Sequence, residues 1–188
     1  MMADVDDHRI EPASADDLAA VARQLGRTPR GVVGVAWRCP CGRPGVTATA
    51  PRLPDGTPFP TMYYLTCPNA VAACSTLESS GLMATMTARL GQDADLAARF
   101  QSAHQAYLAE RARLGDVPEI AGTSAGGMPD RVKCLHALVG HALAAGPGVN
   151  PIGDEAVGLI GDFWTPDCAA RLVEPSDDKP RRHGKGQA

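Results

Sequence analysis

Aromatic side chains are scarce in this sequence, at 4% of its residues, so a core must be assembled mainly from Ala, Val and Leu. Long apolar runs are missing: no stretch approaches the roughly 18 uninterrupted apolar residues of a spanning helix, which excludes a transmembrane segment. The N-terminus, Met1-Met2-Ala3-Asp4-Val5-Asp6-Asp7, is acidic and polar where a secretory signal is basic and then apolar. A cytoplasmic protein is therefore expected, in a compartment where thiols stay reduced. Cysteine is also sparse. Six in 188 residues are too few for a disulfide scaffold, which leaves them as free thiols, metal ligands or catalytic groups. An excess of cations is absent as well, with a net charge of −3. Lys179, Arg181, Arg182 and Lys185 crowd the last ten residues, so the body of the chain is more acidic still. That argues against a nucleic-acid groove, because phosphate contacts supply most of such affinity.

What the chain does have is apolar residues at 44%, charged residues at 21%, 20 Gly and 16 Pro, the composition of a turn-rich globular protein. We expect one domain over residues 14–174, between a disordered N-terminus at 1–13 and a basic disordered tail at 175–188. Ser14-Ala15-Asp16-Asp17 opens a helix that runs to about Gln24, with Ser14 as N-cap and Gly26 near the stop. Three strands are expected: Gly31 to Trp37, ending at Cys39; Val46 to Ala50; and Thr61 to Thr66, ending at Cys67. A Pro-rich loop with the turn signal Asp55-Gly56 joins the last two. The remainder is helical. One helix starts at Pro68, breaks at Ser79-Ser80-Gly81 and resumes to Leu90; another starts at Asp93 and carries Leu96, Phe100, Ala103 and Tyr107 on one face. A third is expected from Pro129 to Ala145, and a short one around Asp154–Phe163. The fold class is thus α+β, a small antiparallel sheet of about three strands packed on several helices.

The cysteines fall at the ends of these elements. Cys39-Pro40-Cys41 follows the first strand and Cys67-Pro68 follows the third, and hairpin topology brings such ends together. Cys67 also sits at a helix N-terminus, where the dipole favours the thiolate that binds metal. Three thiolates need a fourth ligand to complete a tetrahedral zinc site or an iron-sulfur cluster. Cys134, in Lys133-Cys134-Leu135-His136, is the best supplier. On a helix, His136 points away from Cys134, and His141 shares its face but stands about 10 Å further along the axis. The expected metal ligands are Cys39, Cys41, Cys67 and Cys134, with His141 as an outer partner and His136 as a substitute only if the helix end is distorted. Cys-Pro suits ferredoxin-type clusters and four thiolates suit zinc, so both metals stay open. Cys74 and Cys168 belong to no motif and read as core fillers.

Other constellations carry less. Gly122-Thr123-Ser124-Ala125-Gly126 has the nucleophile-elbow pattern but lacks the strand that must precede it. The same loop leads into the helix expected at Pro129, an anion-binding arrangement in principle. His104 reads as a boundary histidine, and Glu110 and Arg111 as a solvated face. Trp37, Tyr63 and Tyr64 read as anchors of the sheet against helices.

Arg30-Gly31-Val32-Val33, Cys39-Pro40-Cys41-Gly42-Arg43-Pro44, Asp55-Gly56-Thr57-Pro58-Phe59-Pro60-Thr61, Tyr64-Leu65-Thr66-Cys67-Pro68 and Arg131-Val132-Lys133-Cys134-Leu135-His136 together resemble the bacterial family called domain of unknown function 501. The resemblance covers about residues 18–153, ending at Asn150-Pro151-Ile152-Gly153. It implies a cytoplasmic protein of high-GC bacteria, often encoded beside a septum-formation protein and an exopolyphosphatase, and no established activity. Leu138 stands where family members often have a further histidine, which weakens any histidine-rich site. The leading expectation is a metal- or cluster-binding protein with a structural, redox or regulatory role. The alternatives are an interaction module with a protein partner in cell division or phosphate metabolism, and an enzyme using a Cys67 thiolate or Ser124.

Overall fold

The computed structural model describes residues 10–164, 168–173 and 175. The tail expected at 175–188 and the first nine residues of the segment expected to be disordered lie outside the described residues, apart from residue 175. The chain is already ordered at Glu11, which exchanges two backbone hydrogen bonds with Val35, at 2.9 and 2.8 Å. Helix α1 (Ala15–Leu25) follows, closed at its start by a reciprocal Ser14–Asp17 capping box and at its end by Gly26 at φ 67°.

Strands β1 (Val32–Arg38), β2 (Pro44–Thr49) and β3 (Tyr63–Leu65) form an antiparallel sheet in the order β1-β2-β3. Both outer strands run against β2, so β1 and β3 end on the same side, beside the start of β2. The third strand is shorter at both ends than Thr61–Thr66; at its start the Met62 N–H is taken by Tyr107 Oη rather than by a neighbouring strand. The helices are α2 (Pro68–Ser79), α3 (Leu82–Leu90), α4 (Ala94–Leu114), α5 (Leu135–Ala145) and α6 (Pro151–Ile160), with short 3₁₀ turns at Pro118–Ile120 and Cys168–Arg171. The architecture is α+β, as the sequence implies.

Helix α5 lies across the sheet and pairs with α6. Glycine makes both approaches possible. A Cβ on Gly140 would stand 3.2 Å from the Tyr63 carbonyl, and one on Gly153 only 2.3 Å from that of Leu138. The few aromatics gather at the centre rather than being replaced there by aliphatics: Phe100 and Tyr107 are fully buried with Met62, Met86, Leu135, Leu138 and Ile152.

Two expectations are corrected here. Helix α5 begins at Leu135, not Pro129, because the Gly126 and Gly127 carbonyls take the backbone N–H groups of Arg131, Lys133 and Cys134 into a hydrogen-bonded loop. Arg111 is no solvated side chain. It is 4% exposed and donates to the carbonyls of Pro60, Ile120 and Thr123, fastening two loops to α4, and burial lowers its pKa. Glu110 beside it accepts a hydrogen bond from Tyr63 Oη at 2.9 Å.

Candidate metal centre

The sheet topology carries Cys39 and Cys67 to one edge, past the ends of β1 and β3. Between them the Gly45 carbonyl receives the N–H groups of Thr66 and Cys67, and the absence of a Cβ on Gly45 leaves room for the Trp37 ring. Residues 39–43 turn back sharply: Gly42 N–H donates to the Cys39 carbonyl at 2.8 Å, with Gly42 at φ 84°. Arg38 braces this turn, pairing with Asp17 at 2.8 Å and Glu11 at 2.7 Å and reaching the Gly42 carbonyl at 3.3 Å.

The fourth sulfur at this edge is Cys168. Its Sγ lies 3.9 Å from that of Cys39 and 3.7 Å from that of Cys67, and the Cys39, Cys41 and Cys168 sulfurs all lie within 4.8 Å of one another. Cys39, Cys67 and Cys168 are buried and Cys41 is exposed. Asn69 Nδ2 donates to Cys168 Sγ at 3.4 Å. Burial, with Cys41 and Cys67 adding, pushes the Cys39 thiol up to about 11 and moves Cys168 in the same direction. Burial also opposes ionisation of Cys41, but the Arg43 backbone N–H and the neighbouring thiols outweigh it and lower its pKa.

Cys134 does not join this group, and Cys168 is no mere filler. The reason is the route of the chain after α6. Phe163 packs on Trp37 with ring centroids 6.1 Å apart, and Val173 N–H donates to the Arg23 carbonyl at 3.0 Å, so the 3₁₀ turn bearing Cys168 is held beside the sheet edge. One signal was present in the sequence: an aromatic-poor chain places Phe163 and Trp164 just ahead of Cys168, as it places Trp37 just ahead of Cys39.

Cys134 instead meets Glu78 and His136, whose ligand atoms lie within 4.8 Å of one another. The helical-wheel argument fails because Cys134 is the N-cap of α5, with extended backbone at φ −152° and ψ 111°. His136 Nδ1 is 4.0 Å from Cys134 Sγ and 3.0 Å from Glu78 Oε1, while Nε2 donates to the Val71 carbonyl at 3.1 Å. Cys134 foremost, then Glu78, raises the imidazole pKa to about 9 against the effect of burial. Glu78 Oε1 also accepts the Leu135 N–H at 2.7 Å, supplying the cap that Cys134 does not.

His141 is remote from both groups as a ligand. It is fully buried, stacked on Tyr63 and edge-on to Tyr107, and Asn150 Nδ2 faces its Nδ1 at 3.2 Å. Cys74 is a buried core thiol whose pKa burial pushes up to about 12. Ser124 is also buried. Its hydroxyl lies 2.9 Å from His104 Nδ1 and donates to the Met128 carbonyl, and it follows turn and 3₁₀ structure rather than a strand. His104 is itself buried, and that burial lowers its pKa.

A family model for proteins of unknown function, DUF501, matches residues 35–158. The chain belongs to the DUF501 family. The match runs from within β1 through β2, β3 and α2 to α5 and takes in most of α6, with Cys39, Cys41, Cys67 and Cys134 inside it and Cys168 beyond its end. Neither the curated proteins nor the solved structures include a match to this DUF501 chain. Among the described residues no helix is long and apolar enough to cross a membrane.

Proposed function

We propose that this DUF501 protein binds zinc, and that Cys39, Cys41, Cys67 and Cys168 hold one ion with a structural role. The supporting observation is the spacing around Cys168, 3.7 and 3.9 Å to two other sulfurs. Four sulfurs at about 2.3 Å from one zinc in tetrahedral geometry stand about 3.8 Å apart. The ligands of a cubane bind different irons and stand farther apart, so the spacing favours a single ion over an iron-sulfur cluster. Burial favours the neutral form of the Cys39 and Cys168 thiols, so binding an ion there would release protons and should strengthen as pH rises. Asn69 and the backbone N–H groups on the sulfurs are the outer-shell donors that orient such ligands.

The role would be to clamp three parts of the chain: the turn after β1, the start of α2 and the segment after α6. Metal analysis of the purified full chain tests this. About one zinc should be lost on Cys168→Ser and retained on Cys74→Ser. Chelation should lower the thermal midpoint of the wild-type chain, since structural zinc contributes directly to folding. Stoichiometric iron with visible absorption, or zinc retained fully in Cys168→Ser, would contradict the proposal.

A further inference from the structure

The chain carries a second set of metal-ligand side chains at the other end of α2, and it differs from the thiol cluster in kind. Glu78, Cys134 and His136 supply one oxygen, one sulfur and one nitrogen, and all three residues are partly exposed. Two of them, Cys134 and His136, line a groove of about 630 Å³ that also receives Gln24, Tyr64, Pro68 and Arg171. Rising about 1.5 Å per residue, α2 sets Cys67 and Glu78 roughly 16 Å apart along its axis, so one ion cannot serve both groups.

We propose that Glu78, Cys134 and His136 form a second divalent-metal site, with three protein ligands and a coordination position open to the groove. Three features of the geometry carry this. The imidazole is fixed by its far nitrogen: Nε2 donates to the Val71 carbonyl at 3.1 Å, with Ser75 Oγ at 3.3 Å, which turns Nδ1 toward the sulfur and the carboxylate. A ligating histidine is commonly held in this way, its second N–H on a carbonyl. The carboxylate is fixed too, by the Leu135 N–H at 2.7 Å. Finally, once an incoming metal displaces the Nδ1 proton that faces Glu78 and the Cys134 thiol proton to solvent, a thiolate, a carboxylate and a neutral imidazole balance the charge of a dication, and this donor set suits zinc.

The two sites would then divide along the usual line between closed and open zinc centres. Four sulfurs leave no vacancy, whereas three mixed donors beside a groove leave room for water or an anionic oxygen ligand. Arg171 on the groove wall supplies a positive charge for such an anion.

This proposal does not rest on zinc in the thiol cluster, and cobalt titration separates the two. Full-length protein first receives one equivalent of Zn²⁺, and Co²⁺ is then added. A second equivalent should bind with a charge-transfer band from a single thiolate and visible ligand-field bands that azide shifts. Cys134→Ser and His136→Ala should each weaken that uptake by more than about tenfold, because even changes in outer-shell partners act on that scale. Circular dichroism should match the wild type in both variants, since both side chains are partly exposed. Wild-type protein that takes one equivalent and no more, with uptake unchanged in Cys134→Ser, overturns the second site while leaving the first intact. Uptake dependent on Cys134 in protein whose thiol cluster binds nothing overturns the first reading and supports the second. A second equivalent blind to azide would contradict the open position.

Discussion

At the scale of single residues, the candidate metal centre depends on side chains that never touch a sulfur. Arg38 precedes Cys39 and is held by Asp17 and Glu11 while it reaches the Gly42 carbonyl. The guanidinium beside Asp17 keeps its carboxyl well below the usual carboxylate range, the Ser14 cap adding to the effect against burial. A depressed folded-state pKa gives stability that is present above the unfolded value and lost as pH falls through the folded one. We therefore expect the urea midpoint to fall as pH drops below about 4, the unfolded aspartate range, and Asp17→Asn to flatten that part of the profile. A second residue test lies in the core. Tyr107 Oη accepts the Met62 N–H at 2.5 Å and donates to the Pro60 carbonyl at 3.2 Å. Tyr107→Phe strands a buried N–H and should cost about 1–3 kcal/mol, seen as a lower denaturant midpoint with an unchanged slope.

At the scale of elements, two helices begin in the same way. Cys67 caps α2 and Cys134 caps α5, and neither side chain bonds the helix backbone it precedes. Each start therefore sets a sulfur beside the first turn of a helix. The first of these was legible in the sequence, because Pro68 marks a first helical turn. The second was not, because Pro129 looks like such a mark and the loop that displaces the helix start is built by the Gly126 and Gly127 carbonyls, a tertiary arrangement. Misplacing that boundary set Cys134 and His136 on opposite sides of a helix that only His136 belongs to. The strand ends, by contrast, were readable: β-branched runs and hairpin topology placed Cys39 and Cys67 at one edge. Glycine in α6 offers a paired test of element packing. Gly153→Ala would push a methyl into the Leu138 carbonyl and should destabilise by about 1–3 kcal/mol. Gly158 is exposed with open space around it, and Gly158→Ala should stabilise by about 0.5–1 kcal/mol. Thermal denaturation of the two variants checks both signs.

At the scale of the whole molecule, the thiol cluster joins points 129 residues apart, from Cys39 to Cys168. Sequence reasoning finds partners through local motifs and strand topology, and Cys168 has neither. Its place is set by the return of the chain after α6, where Phe163 meets Trp37 and Val173 meets Arg23. A metal at this junction would tie the sheet, α2 and the C-terminal segment into one unit, and its removal would release all three together. The spectroscopic count of ligands on the ion tests this most directly. X-ray absorption at the zinc edge, on Cys134→Ser protein so that only the thiol cluster is sampled, should find four sulfurs at about 2.3 Å. A first shell of mixed nitrogen or oxygen with sulfur, or iron in place of zinc, would contradict the account.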